Sequence, residues 1–139
     1  MSVNIDVTYL GGLRCEITHG PSRQKFQTEA PVDNGGKGES ISPTDMVGGA
    51  LGACILTIMG LMAQRNGWDI AGTTVNVTKD MTATPPRRVA SLRAIVTLPK
   101  GFQLGEADRA KLEAAANACP VKQTIHPDTS IDLQFVYPN

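Results

Sequence analysis

The sequence predicts an α+β protein, and three observations carry the prediction. Apolar and polar residues alternate through most of the first thirty positions. An eighteen-residue run without a charge, Met46 to Ala63, follows a helix-start signature. Alternation then returns on both sides of a second helical stretch within residues 101–118.

The opening alternation reads as an antiparallel meander. Val3, Ile5, Val7 and Tyr9 form one strand, Gly11-Gly12 supplies a turn, and Leu13, Cys15 and Ile17 share a face of the next. A third segment, Arg23 to Ala30, follows Gly20-Pro21. Residues 31–41 (PVDNGGKGESI) read as a polar, glycine-rich loop with little tendency to order itself.

Ser42-Pro43-Thr44-Asp45 then combines a hydroxyl N-cap, a proline at the first helical position and an acid three residues after the cap. Gln64-Arg65-Asn66-Gly67 gives the helix a polar end and a C-cap glycine. About eighteen apolar residues is the lower limit for crossing a bilayer. Four glycines in the run and turn signals around it favour a helix buried in a core or between two subunits. At about 100° per residue, Gly48, Gly49, Gly52, Ala53 and Gly60 share one broad side, where another backbone could approach closely.

Beyond this helix, Thr73-Val75-Val77-Lys79 and Val89-Leu92-Ala94-Val96-Leu98 read as strands joined by a turn centred on Thr84-Pro85-Pro86-Arg87. The second helix places Ala107, Leu112, Ala115 and Ala116 inward, Pro120 restarts a short helical turn, and Ile131-Leu133-Phe135-Tyr137 alternate as a last strand. No repeat or long linker divides the chain, so residues 1–139 read as one domain.

Composition narrows the function classes. Thirteen basic residues balance thirteen acidic ones, which leaves no electrostatic footprint for nucleic acid or an anionic membrane. Aromatics are only 4% of the chain, so Val, Ile, Leu, Met and Ala must fill the core. No secretory signal precedes the first strand, and three irregularly spaced cysteines make no disulfide framework. The expected compartment is a reducing cytoplasm, where a disulfide would be transient and catalytic.

Chemistry therefore rests on thiols. Cys54 lies in an apolar stretch of the helix, flanked by Val47, Ala50, Leu51, Ile58 and Leu61. Such surroundings raise a thiol pKa, so an active Cys54 needs a cation brought to it. Asp45, nine residues earlier, is about 180° round the helix and ~13 Å along it, where a capping role suffices. Cys119 precedes a proline suited to the first turn of a helix, where the partial positive charge favours thiolate, although each of these cysteines taken alone also reads as a structural core residue. Cys15, in an alternating strand, reads as packing.

Other chemistries fail on spacing. Gly35-Gly36-Lys37-Gly38 is no phosphate loop, because Pro31 and Gly38 stand where that motif needs glycine and Ser or Thr. His19 and His126 lack metal-ligand spacing, so no metal or cofactor is expected. His126 could approach Cys119 but reads more simply as a solvated loop residue, as does the Arg87-Arg88 pair.

The stretch GGKGESISPTDMVGGALGAC from Gly35 to Cys54, followed by NACPV from Asn117 to Val121, resembles the OsmC/Ohr family of thiol peroxidases. SPTD at 42–45 and PPRRV at 85–89 look most like its OsmC-like subgroup. The resemblance implies an OsmC-like fold with antiparallel sheets around a long buried central helix, in an intertwined homodimer. It implies that Cys54 is a peroxidatic thiol attacking organic hydroperoxides, and that Cys119 resolves its sulfenic acid to a disulfide that an external dithiol reduces. The family activates this cysteine with an arginine and a glutamate. The glutamate position holds Thr44 here, with the acid Asp45 next to it, and Arg14 or Arg23 could supply the cation. The same fold would also serve a non-enzymatic redox sensor or a small-molecule-binding dimer.

Overall fold

The computed structural model describes all 139 residues, which divide into two compact units, residues 1–46 and 47–139. In the first, β1 (Ile5–Gly11), β2 (Arg14–His19) and β3 (Lys25–Glu29) form the antiparallel meander, in the order β1-β2-β3. Register sets Val7 opposite Ile17 and Ile17 opposite Phe26, so one face of the sheet is apolar. Ile5, Val7 and Tyr9 on that face are about 60–65% exposed. Leu13 does not join Cys15 and Ile17 on the second strand. It sits in the turn at φ 63, after Gly11 and Gly12, which also have positive φ. The third strand starts later than the sequence suggests because Arg23, at φ 62, belongs to the turn before it.

The loop after β3 is ordered, against expectation. A 3-10 turn spans Val32–Asn34, and the Gly36 N–H donates to the Pro31 carbonyl. Gly36 approaches the chain so closely that a Cβ there would lie 1.5 Å from the Ala30 carbonyl oxygen. The larger cause of order is Glu29, which is 2% exposed. Its carboxylate accepts the backbone N–H groups of Lys37, Glu39 and Ser40 at 3.0, 2.8 and 3.0 Å.

Helix α1 (Pro43–Asn66) starts in the first unit and continues through the second. Its start is a capping box: the Asp45 N–H donates to Ser42 Oγ and the Ser42 N–H to Asp45 Oδ2, both at 3.0 Å. Gly48, Leu51, Gly52, Ile55, Met59 and Ala63 form its buried stripe at helical spacing.

In the second unit, β4 (Thr74–Met81), β5 (Val89–Thr97) and β6 (Ser130–Val136) form a mixed sheet. The β4–β5 pair is antiparallel. The β5–β6 pair is parallel, with Leu92 opposite Ile131 and Val96 opposite Phe135. Parallel neighbours need a long crossover, and α2 (Glu106–Asn117) and α3 (Pro120–Thr124) lie in it. Leu51, Ile55 and Met59 of α1 join Leu92, Ala94 and Val96 of β5 and Leu112 and Ala116 of α2 in one core.

Two faces differ from the sequence reading. The small residues of α1 split into two groups. Gly48 and Gly52 are pressed against Val77, Leu92 and Val75, whereas Gly49 and Gly60 would offer an added Cβ open space. Ala107 points outward on α2, because the half-buried flank carries Arg109 and Glu113. The Arg109 guanidinium lies 4.0 Å from the centre of the Tyr137 ring, and the Tyr137 hydroxyl donates to Glu113 at 3.0 Å.

Candidate functional site

The folded second unit brings together thiols that the sequence separates. Cys54, on α1, is half-buried, and Cys119, between α2 and α3, is fully buried; both are free. Cys54 acts on Cys119 closely enough to push the Cys119 pKa up. Cys119 is the N-cap of α3 and Pro120 its first residue, as the Cys-Pro sequence predicted. Its Sγ accepts the Lys122 N–H at 3.3 Å.

That position does not make Cys119 a ready thiolate. Burial pushes its pKa above the ordinary thiol value, the Lys122 and Val121 N–H groups oppose this, and Cys54 raises it again. Two backbone N–H groups and a helix of five residues are too little to offset desolvation. Cys119 therefore keeps its proton.

Residues that flank the thiols in sequence line an open cavity of about 570 Å³, which neither thiol itself lines. Val47 and Ala50 line it from α1, seven and four residues before Cys54 and on the same helical stripe. Pro120, Val121 and Ile125 line it from the other side, directly after Cys119. Val89, Thr124 and Thr129 complete an almost wholly apolar wall, since the Thr124 and Thr129 hydroxyls donate to the Pro120 and Val89 carbonyls. Arg88 and His126 also line it. Both had read as solvated loop residues, yet Arg88 Nη1 lies 3.3 Å from His126 Nδ1 and 3.4 Å from Asp128 Oδ2.

The remaining candidates lie in the first unit. Arg14 is held by Glu39 at 2.9 Å and Glu29 at 3.4 Å. Arg23 is exposed, with Asp6 at 3.8 Å. Asp45 serves in the capping box. Cys15 is half-buried on β2, opposite Tyr9 and Thr28. The Glu29 carboxyl is held below the ordinary carboxylate range, first by the Lys37 N–H and further by the Glu39 and Ser40 N–H groups and Arg14, against the opposing effect of burial. No group of three or more His, Cys, Asp and Glu residues converges on a metal position.

A family model described as OsmC-like protein matches residues 36–134, a span that contains both thiols and the whole cavity wall. The chain belongs to the OsmC-like family. This OsmC-like chain is 40% identical to a Psychrobacter arcticus protein described as an osmotic stress induced and detoxification response protein, with a TM-score of 0.89 over 97% of this chain and 96% of that one. It shares its fold with an organic hydroperoxide resistance protein OsmC of Legionella pneumophila, at 16% identity and TM-score 0.76 over 98% and 97% of the two chains. It also shares it with the organic hydroperoxide resistance protein OhrB of Bacillus subtilis, at 14% identity and TM-score 0.68 over 97% and 98%. No curated protein matches it in sequence. Within the OsmC-like fold, α1 is long and apolar enough to cross a membrane, but its apolar stripe is spent on the β4–β5–β6 core.

Proposed function

We propose that the protein is a thiol-dependent peroxidase that reduces organic hydroperoxides in oxidative-stress defence. The observation that carries this reading is the pair itself: Cys54 is half-buried, and the buried Cys119 thiol is close enough for Cys54 to raise its pKa. The Cys54 thiolate attacks one oxygen of the O–O bond. The bond breaks, the leaving alkoxide takes up a proton to become an alcohol, and Cys54 becomes a sulfenic acid. The Cys119 sulfur then attacks the Cys54 sulfur while its proton passes to the departing hydroxide, releasing water and forming a disulfide. An external dithiol returns both thiols by exchange, which suits a cytoplasmic setting. The apolar walls suit an alkyl or aryl hydroperoxide better than hydrogen peroxide.

In this reading Asp45 positions the start of the helix that carries the thiol, and Arg14 is the candidate cation for the reaction. Arg14→Gln should slow peroxide reduction about tenfold or more. Arg14→Lys should retain part of the rate.

The working form is proposed to be a homodimer. Gly49, Ala53, Thr57 and Leu61 of α1 are exposed in the single chain, as are Ile5, Val7 and Tyr9 of β1. Sedimentation of the protein and of Ala53→Arg tests this, with the variant expected to run as a monomer.

The central test is titration with cumene hydroperoxide followed by mass analysis without reductant. One equivalent should consume two thiols and leave a Cys54–Cys119 disulfide, and Cys54→Ser should abolish the reaction. Slow oxidation that includes Cys15 equally would refute the peroxidase reading.

A further inference from the structure

We propose that a second, smaller pocket, at the C-terminal end of α1, binds a methylated ammonium ion, a compact organic cation with no N–H to satisfy. The inference stands apart from the peroxidase reading and shares no residue with it.

The pocket forms where the helix stops. Gly67, at φ 71, turns the chain back. Its N–H donates to the Gln64 carbonyl, and the Trp68 N–H donates to the Ala63 carbonyl at 2.9 Å. This pair of bonds folds the residue after the glycine onto the last helical turn, which leaves Trp68 half-buried. The next turn is fixed by its own side chains: Asp69 Oδ1 accepts the Ala71 N–H at 3.0 Å, and the Thr73 hydroxyl donates to the Ile70 carbonyl. Between helix and turn lies a pocket of about 290 Å³, at the small end of ordinary ligand sites.

The wall selects a cation. Asp69 is the one charged residue in it, and only its Oδ1 is engaged, which leaves Oδ2 for a ligand. Arg65, the basic residue of the last helical turn, is not part of the wall. The pocket also adjoins the end of a 24-residue helix, where unpaired carbonyls carry a partial negative charge. Trp68 adds the aromatic surface that attracts cations best. An anion would meet only repulsion here.

The same wall decides which cation. Leu56, Ala63, Ile70 and Ala71 offer only carbon side chains. N-methyl groups can lie against them, whereas the N–H groups of a primary ammonium would lose water there without gaining an acceptor. A quaternary ammonium keeps its charge beside Asp69 and Trp68 and leaves no donor unpaired. Asp69 is exposed, so its attraction is screened by water. Together with the aromatic and helix-end contributions it amounts to a preference of roughly tenfold over an uncharged ligand of the same shape.

Calorimetric titration with choline and with 3,3-dimethyl-1-butanol, its uncharged isostere, tests the assignment at constant ionic strength. Choline should bind about tenfold more tightly, and it should change the emission of the single tryptophan. Asp69→Asn keeps an acceptor for the Ala71 N–H and should bring the two affinities together by weakening choline alone. Asp69→Glu should restore part of the gap, which separates loss of charge from loss of fold. Absence of choline binding, equal affinities in the unmutated protein, or an unchanged ratio in Asp69→Asn would each overturn the proposal. Gly60 and Gln64 of the wall adjoin the stripe of α1 proposed to meet a second copy, so sedimentation is repeated in choline. An unchanged sedimentation coefficient supports a pocket distinct from that face. Dissociation by choline would show competition for the helix face itself and would overturn the site.

Discussion

Glu29 in the first unit and Cys119 in the second are both acids and both buried, at 2% and 0% exposure. Their pKa values nevertheless move in opposite directions. Glu29 has three backbone N–H groups and Arg14 directed at its oxygens. Cys119 has apolar neighbours, the N–H groups of Lys122 (at 3.3 Å) and Val121, no cation and a second thiol. Burial alone thus fixes neither the charge nor the role of an acid. The supply of donors decides, and it makes Glu29 an organiser of backbone and Cys119 a reservoir for a proton.

The comparison breaks most visibly at Glu29. Glu29→Ala leaves the N–H groups of Lys37, Glu39 and Ser40 without their acceptor. Amide exchange across residues 36–40 should accelerate more than anywhere else in the first unit. Because the folded pKa of Glu29 lies below its ordinary value of 4.5, its contribution to stability is present above that value. It is lost as pH falls through the lowered folded value. Glu29→Gln should flatten this acid arm in pH-dependent denaturation. Cys119 has the opposite sign. Its folded pKa lies above the ordinary 9.0, so the unfolded chain ionises first and stability declines as pH rises past that value. Cys119→Ala should flatten that alkaline arm and leave the acid arm alone.

A pair of glycines tests the same contrast in packing. Alanine in a helix is favoured over glycine by about 1 kcal/mol. At Gly49 the new methyl meets open space, but at Gly52 it meets Val75 at 3.0 Å and Val77 at 3.2 Å. Those contacts are β-branched and stiff, and overpacking costs about 1–3 kcal/mol. Gly52→Ala should therefore be the less stable of the two by about that amount in urea denaturation. Cys54→Ala should lower the pKa of Cys119, since Cys54 raises it. The iodoacetamide reaction of Cys119, followed against pH in a Cys15→Ser background, measures the shift. The smallest effect is expected at the helix start, where Ser42→Ala removes one side of the capping box for about 1 kcal/mol of stability.

Much of the fold was legible because it rests on local signals. Ser42, Pro43 and Asp45 announce the start of α1, and alternation at Val75-Val77 and Val89-Val96 announces β4 and β5. The cavity's polar pair was not legible, because Arg88 and His126 lie 38 residues apart and each alone is an ordinary turn residue. Glu29 escaped for the same reason. It ends a strand like any polar residue, and its acceptor role exists only when a loop eight to eleven residues on folds back over it. Pairing of Cys54 with Cys119 entered through a family resemblance rather than through either residue's own surroundings. The parallel direction of β6 is likewise invisible to alternation, which sets which face a strand buries and not which way it runs.

The crossover between β5 and β6 has a thermal consequence. It brings Cys119 near Cys54, 65 residues away in the chain, so the proposed bond between them would close a large ring. Such a ring restricts the unfolded chain by about 4 kcal/mol. The protein waiting for its reductant would then melt several degrees higher than the protein ready for peroxide, and each round of chemistry would be written into the melting temperature.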